Sequence, residues 1–149
     1  MCKIIGFNNA VFWTDETGIL YCEFSNNDPN FKLELNNVKL YIKAITKLCD
    51  GKPMPFLIDL KDTCGTFSVS AAKLMAHNPE LIKLRISESY VINTFGMKLL
   101  LSFYKRLYDR VTPFAIFTDL ELAKAYCLER KDKFYKGTAH NLSINRHGV

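Results

Sequence analysis

The chain has 149 residues, of which 48% are hydrophobic and 13% aromatic, and its formal net charge is +5. This length predicts a single domain that can bury a core without disulfide bonds. No apolar run approaches the roughly 20 residues that span a bilayer, so we expect no membrane partner.

Positive charge is concentrated near the C-terminus. Residues 130–149 contain five Lys or Arg and one Asp, a net charge of +4, which leaves +1 for residues 1–129. A solvated tail explains this better than a nucleic-acid-binding face, which needs aromatic side chains on ordered elements. We therefore predict a domain over residues 1–130, a mobile basic tail over residues 131–149, and no nucleic-acid partner.

The five cysteines are scattered and form no C-x-x-C pair. Their number and spacing favour reduced thiols over a disulfide framework. The N-terminus has neither the apolar region nor the cleavage site of a signal peptide. Together these features predict a cytoplasmic location.

The first part of the chain predicts a hairpin, an edge strand and a helix. Residues 11–14 and 19–24 flank a turn that begins with an acid and ends with glycine. Residues 31–35 alternate between polar and apolar, as a half-buried strand does. An apolar stripe from Val38 to Cys49 predicts a helix, with Asn36 or Asn37 as its N-cap and Gly51 in the left-handed conformation at its end.

Two short apolar runs, residues 56–60 and 114–117, are each entered through proline. A run that is apolar at every position is typical of a strand covered on both faces, as in a parallel α/β sheet. We expect these two strands to lie side by side in the interior, between layers of helices.

The second part of the chain predicts further helices and a brief strand. Ser68 or Ser70 can cap a helix that ends near residue 76, and Pro79 can begin a short one. Residues 89–92 predict a strand and residues 94–108 a long helix. Thr118 and Glu121 have the spacing of a capping box for the last helix.

The helix over residues 94–108 has a narrow polar face, which indicates apolar contacts on two sides. Its polar residues are Lys98, Ser102, Lys105 and Arg106. Its aromatic and methionine side chains have two interpretations, namely core with a dimer or partner interface, or the wall of an apolar ligand pocket. In a chain of this size most aromatic residues are needed to fill the core, which favours the first. The candidate interface residues are Phe95, Met97, Phe103, Tyr104 and Tyr108.

No catalytic motif is complete. Ser70 and Lys73 have S-x-x-K spacing, but the companion elements of serine acyl-enzymes are absent. No pair of His or Cys residues has the spacing of metal ligands. We therefore expect no enzymatic activity, cofactor or metal, and Asp59, Asp62 and Ser70 are candidates only for an interaction site in the loop after residues 56–60.

The order of elements resembles the STAS fold of sulfate transporters and anti-sigma-factor antagonists (SpoIIAA-like), which is close in topology to lipid-binding CRAL-TRIO folds. Two opening strands are followed by strand–helix units, in which Leu57-Ile58-Asp59-Leu60 precedes a serine-capped helix. More narrowly, the chain is similar to small bacterial STAS-like proteins, many from Bacteroidetes, in three segments: Gly18-Ile19-Leu20, Gly51 to Asp59, and Pro113 to Tyr126. The likeness covers roughly residues 8–130. It implies a single-domain α/β fold, a mixed sheet of about five strands with an N-terminal hairpin, and about four helices.

The resemblance also implies a function. In anti-sigma-factor antagonists, a serine at the start of the helix after this strand is phosphorylated. Ser68 occupies the matching position here. However, Phe67-Ser68-Val69-Ser70 lacks the preceding acid and the following glycine of that family's motif. A plain helix cap explains Ser68 more simply. The leading hypothesis is a non-enzymatic regulatory or protein-interaction module with a protein partner or a second copy. The alternative is a binder of an apolar small molecule or lipid in a CRAL-TRIO-like pocket.

Overall fold

The computed structural model describes the backbone of residues 2–147 and the side chains of residues 2–138. In that part of the chain, the elements follow in this order: β1 (Lys3–Gly6), β2 (Ala10–Thr14), β3 (Leu20–Ser25), β4 (Lys32–Leu33), α1 (Leu35–Cys49), β5 (Met54–Asp62), β6 (Thr66–Phe67), α2 (Val69–His77), α3 (Pro79–Leu84), β7 (Arg85–Val91), α4 (Phe95–Tyr108), β8 (Phe114–Phe117) and α5 (Leu120–His147). No helix within the described residues has the length and hydropathy needed to cross a membrane.

Six strands form one mixed sheet in the order β1-β2-β3-β5-β7-β8. β1, β2 and β3 are antiparallel, whereas β3, β5, β7 and β8 run parallel. β4 and β6 form a separate two-stranded parallel ladder, so the edge strand predicted over residues 31–35 shrinks to two residues. The predicted α/β class and N-terminal hairpin are confirmed.

The expected adjacency of residues 56–60 and 114–117 is wrong, because β7 lies between β5 and β8. β5 is central as predicted, but β8 is an edge strand and Phe114 is exposed. β7 begins at Arg85, whereas the sequence predicted a strand only from residue 89. The charged side chains of Arg85 and Glu88 concealed the first half of this fully buried strand.

Helices cover both faces of the sheet. On one face, Phe12, Cys22 and Phe56 pack with Tyr41 and Ile45 of α1. On that same side, α4 packs at the end of β7, where Leu101 meets Tyr90 of the strand and Ile92 just after it. On the opposite face, α5 packs on β3, β5 and β7 through two small buried residues, Ala123 and Cys127.

The helix starts follow the capping chemistry, with two corrections. Thr94 caps α4 as predicted, since its hydroxyl accepts a hydrogen bond from the third residue of that helix. α1 begins earlier than expected, with Glu34 as N-cap and its amide donating to the Asn37 side chain at 3.1 Å. α5 is capped by Asp119 instead of Thr118, because the helix begins one residue later and the Asp119 carboxylate accepts from the Glu121 amide at 2.7 Å.

The chain directly after residue 130, where the sequence predicts the end of the domain, is helical. α5 continues to His147 as one helix. Lys131 donates to the carbonyl oxygen of Thr17 at 2.6 Å, and the Tyr135 hydroxyl donates to that of Pro53, also at 2.6 Å. These two contacts tie the first turns of the predicted tail to the loops before β3 and β5, whereas residues 148–149 lie outside the described part of the chain.

Candidate ligand-binding cavity

An apolar cavity of about 190 Å³ lies between the sheet and the helices on the α1 and α4 side. The sheet contributes residues on neighbouring strands, and α1 and α4 contribute the opposite wall. Its lining includes Cys22, Phe56, Ile58, Tyr41, Ile45 and Leu101.

The cavity follows from how the two helices pack. α1 covers β2, β3 and the start of β5, whereas α4 covers β7. Ile58 on β5 contacts both groups of side chains, yet it is only half-buried although β5 lies in the middle of the sheet. The helices therefore part above Ile58 and leave apolar surface open to the cavity.

One end of the cavity is bounded by a buried ion cluster, which consists of Arg85, Glu88, Lys105 and Asp109. Lys105 Nζ donates to Glu88 Oε1 at 2.5 Å and to Asp109 Oδ2 at 2.9 Å. Arg85 Nη1 lies 3.9 Å from Glu88 Oε2, and Arg85 Nη2 lies 3.7 Å from Asp109 Oδ2. The Tyr90 hydroxyl donates to Glu88 Oε2 at 2.8 Å. Two cations thus balance two carboxylates in a region almost closed to solvent.

The surroundings of the cluster shift two pKa values in opposite directions. Burial alone would raise the pKa of Asp109, but hydrogen bonds from Lys105 and Thr112 outweigh it and hold that pKa below its usual value. Burial and the neighbouring Glu88 carboxylate raise the pKa of Tyr90 well above its usual value. At neutral pH, Tyr90 is therefore a hydrogen-bond donor and Asp109 a carboxylate.

Arg85 has more hydrogen-bond donors than the described residues use. Its Nη1 donates to the carbonyl oxygen of Met75 at 3.0 Å. Its Nε and Nη2 are buried and have no hydrogen-bond acceptor among the described residues. Arg85 and Glu88 both lie among the residues that line the cavity.

The five predicted interface residues of α4 divide between two sides of the helix. Phe95 and Phe103 are exposed, as an interface requires. Tyr104 is only 5% exposed and packs in the core against Phe67. Tyr108 also packs against Phe67 and is half-buried.

The pocket interpretation fits Met97 and Tyr104. Both lie among the residues that line the cavity, together with Leu101 of the same helix. The residues to which the two interpretations refer therefore lie on different faces of α4.

Ser68 is a helix cap, as the simpler interpretation predicted. Its hydroxyl accepts a hydrogen bond from the Ala71 amide at 3.1 Å and lies 3.2 Å from the hydroxyl of exposed Ser70. The two aspartates of the predicted loop site make separate hydrogen bonds. The Asp59 carboxylate accepts from the Lys61 amide at 3.0 Å, and the backbone carbonyl of exposed Asp62 accepts from the Asn26 amide.

The sequence analysis missed Arg85 and Glu88, and it placed Lys105 on a polar face. A usable signal was present, because Lys105 and Asp109 have the i,i+4 spacing of a helical ion pair. Nothing in the sequence indicated that this pair would be buried.

Comparisons with known proteins agree on the fold. The chain is similar to the solved structure of an uncharacterised protein from the DUF3478 family with a SpoIIAA-like fold, from Shewanella loihica PV-4. The TM-score is 0.52 and the identity 15%, and the match covers 85% of this chain and 92% of that one. At this identity the likeness shows the fold alone.

No curated protein matches the sequence. The family model described as "Domain of unknown function (DUF7793)" matches residues 12–131. This match covers well over half of the chain, and the protein therefore belongs to the DUF7793 domain family.

Proposed function

We propose that this STAS-like domain binds a small apolar molecule in the cavity between the sheet, α1 and α4. The observation that carries the proposal is the half-buried Ile58 in the central strand, where the packing of the protein leaves apolar surface uncovered. Such surface is stabilised when a ligand removes it from water, by about 25 cal/mol per Å².

The volume limits the ligand. A cavity of about 190 Å³ exceeds the ~150 Å³ known to hold benzene in an engineered protein interior. It is smaller than the roughly 300–1,000 Å³ of drug-sized sites. A single ring with a short substituent fits this size better than a complete lipid does.

The test is a titration with α-methylstyrene, a compact apolar probe, followed by the amide signals in NMR spectra. We expect shifts at residues that line the cavity, such as Cys22 and Tyr41, and saturable binding. Ile58→Phe should fill the cavity and weaken binding at least tenfold, whereas Ile82→Phe on the exposed face of α3 should leave it unchanged. Absence of saturable binding, or equal binding by both variants, would refute the proposal.

A second function is supported by the outer face of α4. Four apolar side chains at i, i+4, i+8 and i+12 are between 45% and 73% exposed: Phe95, Leu99, Phe103 and Leu107. This α4 outer stripe is flanked by exposed basic side chains, Lys98, Arg106 and Arg110. We propose that it binds a protein partner that presents apolar and acidic side chains.

Charge favours that partner over a second copy, because two copies meeting at this stripe would bring like charges together. Light scattering should therefore show a monomer at low salt. A dimer that Phe103→Glu dissociates, while Ile4→Glu on β1 leaves it intact, would instead identify a second copy as the occupant.

The regulatory role implied by the resemblance would follow if ligand and partner binding were coupled. α4 contributes Leu101 to the cavity and carries Phe103 on the opposite side. A ligand that shifts this helix changes how the outer stripe is presented.

Phosphorylation of Ser68 stays a prediction. Its side chain already caps α2, and the residue is only 8% exposed. Partner capture with Ser68→Ala and Ser68→Asp should give equal profiles if Ser68 acts only as a cap, and different ones if it is a phosphorylation switch.

A further inference from the structure

Resting on the proposed function, we infer that the ligand carries an uncharged hydrogen-bond acceptor, such as a ketone or ester carbonyl, and that Arg85 binds it. The Arg85 side chain is 4% exposed and lies at the wall of the cavity. Its Nε and Nη2 have no acceptor among the described residues. Buried N–H groups without an acceptor are costly, so a ligand oxygen that reaches Nε or Nη2 removes that cost as it binds.

The charge of the site selects against a carboxylate ligand. Arg85 and Lys105 already face Glu88 and Asp109, and the contacts are 2.5–3.9 Å long. A ligand carboxylate would bring a third negative charge into a balanced, desolvated cluster. An unpaired charge in such a place is expensive, whereas a neutral carbonyl adds none.

The Tyr90 hydroxyl, which lies close to Arg85 in the cluster, does not compete for the ligand. It is committed to Glu88 Oε2 at 2.8 Å, and its raised pKa keeps it protonated. Arg85 Nε and Nη2, in contrast, have no acceptor among the described residues.

The experiment compares three ligands of nearly equal shape, using the intact protein and calorimetric or NMR titration at pH 7. α-Methylstyrene has no acceptor, acetophenone replaces its methylene by a carbonyl oxygen, and benzoate is charged. A hydrogen bond to a charged donor predicts that acetophenone binds about tenfold to 100-fold tighter than α-methylstyrene. Benzoate should bind more weakly than acetophenone.

Arg85→Lys tests whether the arginine is responsible, because it keeps the positive charge but loses the Nε donor. We expect acetophenone to lose its advantage over α-methylstyrene in this variant, so that the ratio of the two affinities falls towards one. A second readout needs only the wild-type protein: the infrared carbonyl stretch of bound ¹³C-labelled acetophenone should lie below its value in hexane. An unshifted stretch would overturn the inference.

The outcomes separate this inference from the proposed function. If no probe binds, the proposed function fails and the inference with it. If α-methylstyrene and acetophenone bind equally, the cavity binds apolar molecules but Arg85 does not select an acceptor. If benzoate binds tightest, the ligand class is anionic and the charge argument is wrong.

Discussion

Replacing Lys105 by methionine should strongly destabilise the protein. Lys105 is only 3% exposed, and its ammonium group donates to both Glu88 and Asp109. Methionine has a similar shape but no charge, so two carboxylates would remain buried with Arg85 as their cation. Removing one partner of a buried ion pair typically costs about 3–5 kcal/mol.

That loss is a large share of the protein's stability, since the free energy of unfolding of a domain is about 5–15 kcal/mol. With a urea m-value of ~2–3 kcal/mol/M, the unfolding midpoint of Lys105→Met should fall by about 1–2.5 M. Lys98→Met provides the matched control, because Lys98 is exposed on the same helix. The control should change the free energy of unfolding by less than about 0.5 kcal/mol.

The destabilisation caused by Lys105→Met should depend on pH in a defined direction. The folded-state pKa of Asp109 is lowered, so its interaction with Lys105 stabilises the folded protein above the unfolded-state pKa of about 3.9. This contribution is lost as the pH falls through the lower, folded-state pKa. The stability gap between wild type and Lys105→Met should therefore be widest near pH 7 and narrow below about pH 4. A gap under about 1 kcal/mol at pH 7, or one that does not change with pH, would refute the reasoning.

Three further predictions concern local structure. Ser68→Ala removes the N-cap of α2 and should lower the free energy of unfolding by about 0.5–2 kcal/mol, measured with urea; a change near zero would contradict the cap. Gly65→Ala should destabilise more than Gly51→Ala, because both glycines have positive φ but only Gly65 has a backbone carbonyl where the new Cβ would lie; equal thermal shifts would contradict this. Iodoacetamide should label exposed Cys64 in the native state but leave Cys127 unlabelled, since burial raises the pKa of the Cys127 thiol to about 11. Mass spectrometry of the peptides measures the labelling, and faster labelling of Cys127 than of Cys64 would contradict the prediction.

Local patterns predicted the fold well wherever one element could be recognised by itself. The α1 stripe, the caps at Ser68 and Thr94 and the hairpin each rest on residues a few positions apart. The order of strands in the sheet, in contrast, does not depend on residues that are close in sequence. β8 resembles a central strand in sequence, but it lies at the edge because the chain places β7 beside β5, a choice that depends on contacts between distant segments.

The sequence also did not predict that α5 continues beyond residue 130. A run of basic and polar residues after residue 130 is typical of a solvated tail, and composition alone weighs every residue equally. Two side chains one helical turn apart, Lys131 and Tyr135, hold this part of α5 against the domain. They donate hydrogen bonds to the backbone carbonyl groups of Thr17 and Pro53. Their partners lie 114 and 82 residues away along the chain.

The candidate site was the least predictable part, because its polar residues break the rules by which sequence patterns are interpreted. Charged side chains are assigned to the surface since a lone buried charge is too costly, and that rule fails where charges compensate each other. Arg85 and Glu88 come from a strand, Lys105 comes from α4 and Asp109 directly follows that helix. Each pair is buried opposite the other, so their charges compensate. The compensation is complete in charge but incomplete in hydrogen bonds, since Arg85 keeps unused donors beside an apolar cavity. A purely structural cluster has no need for such donors at that wall, and this mismatch is the physical reason to assign the cavity to a ligand with an acceptor group.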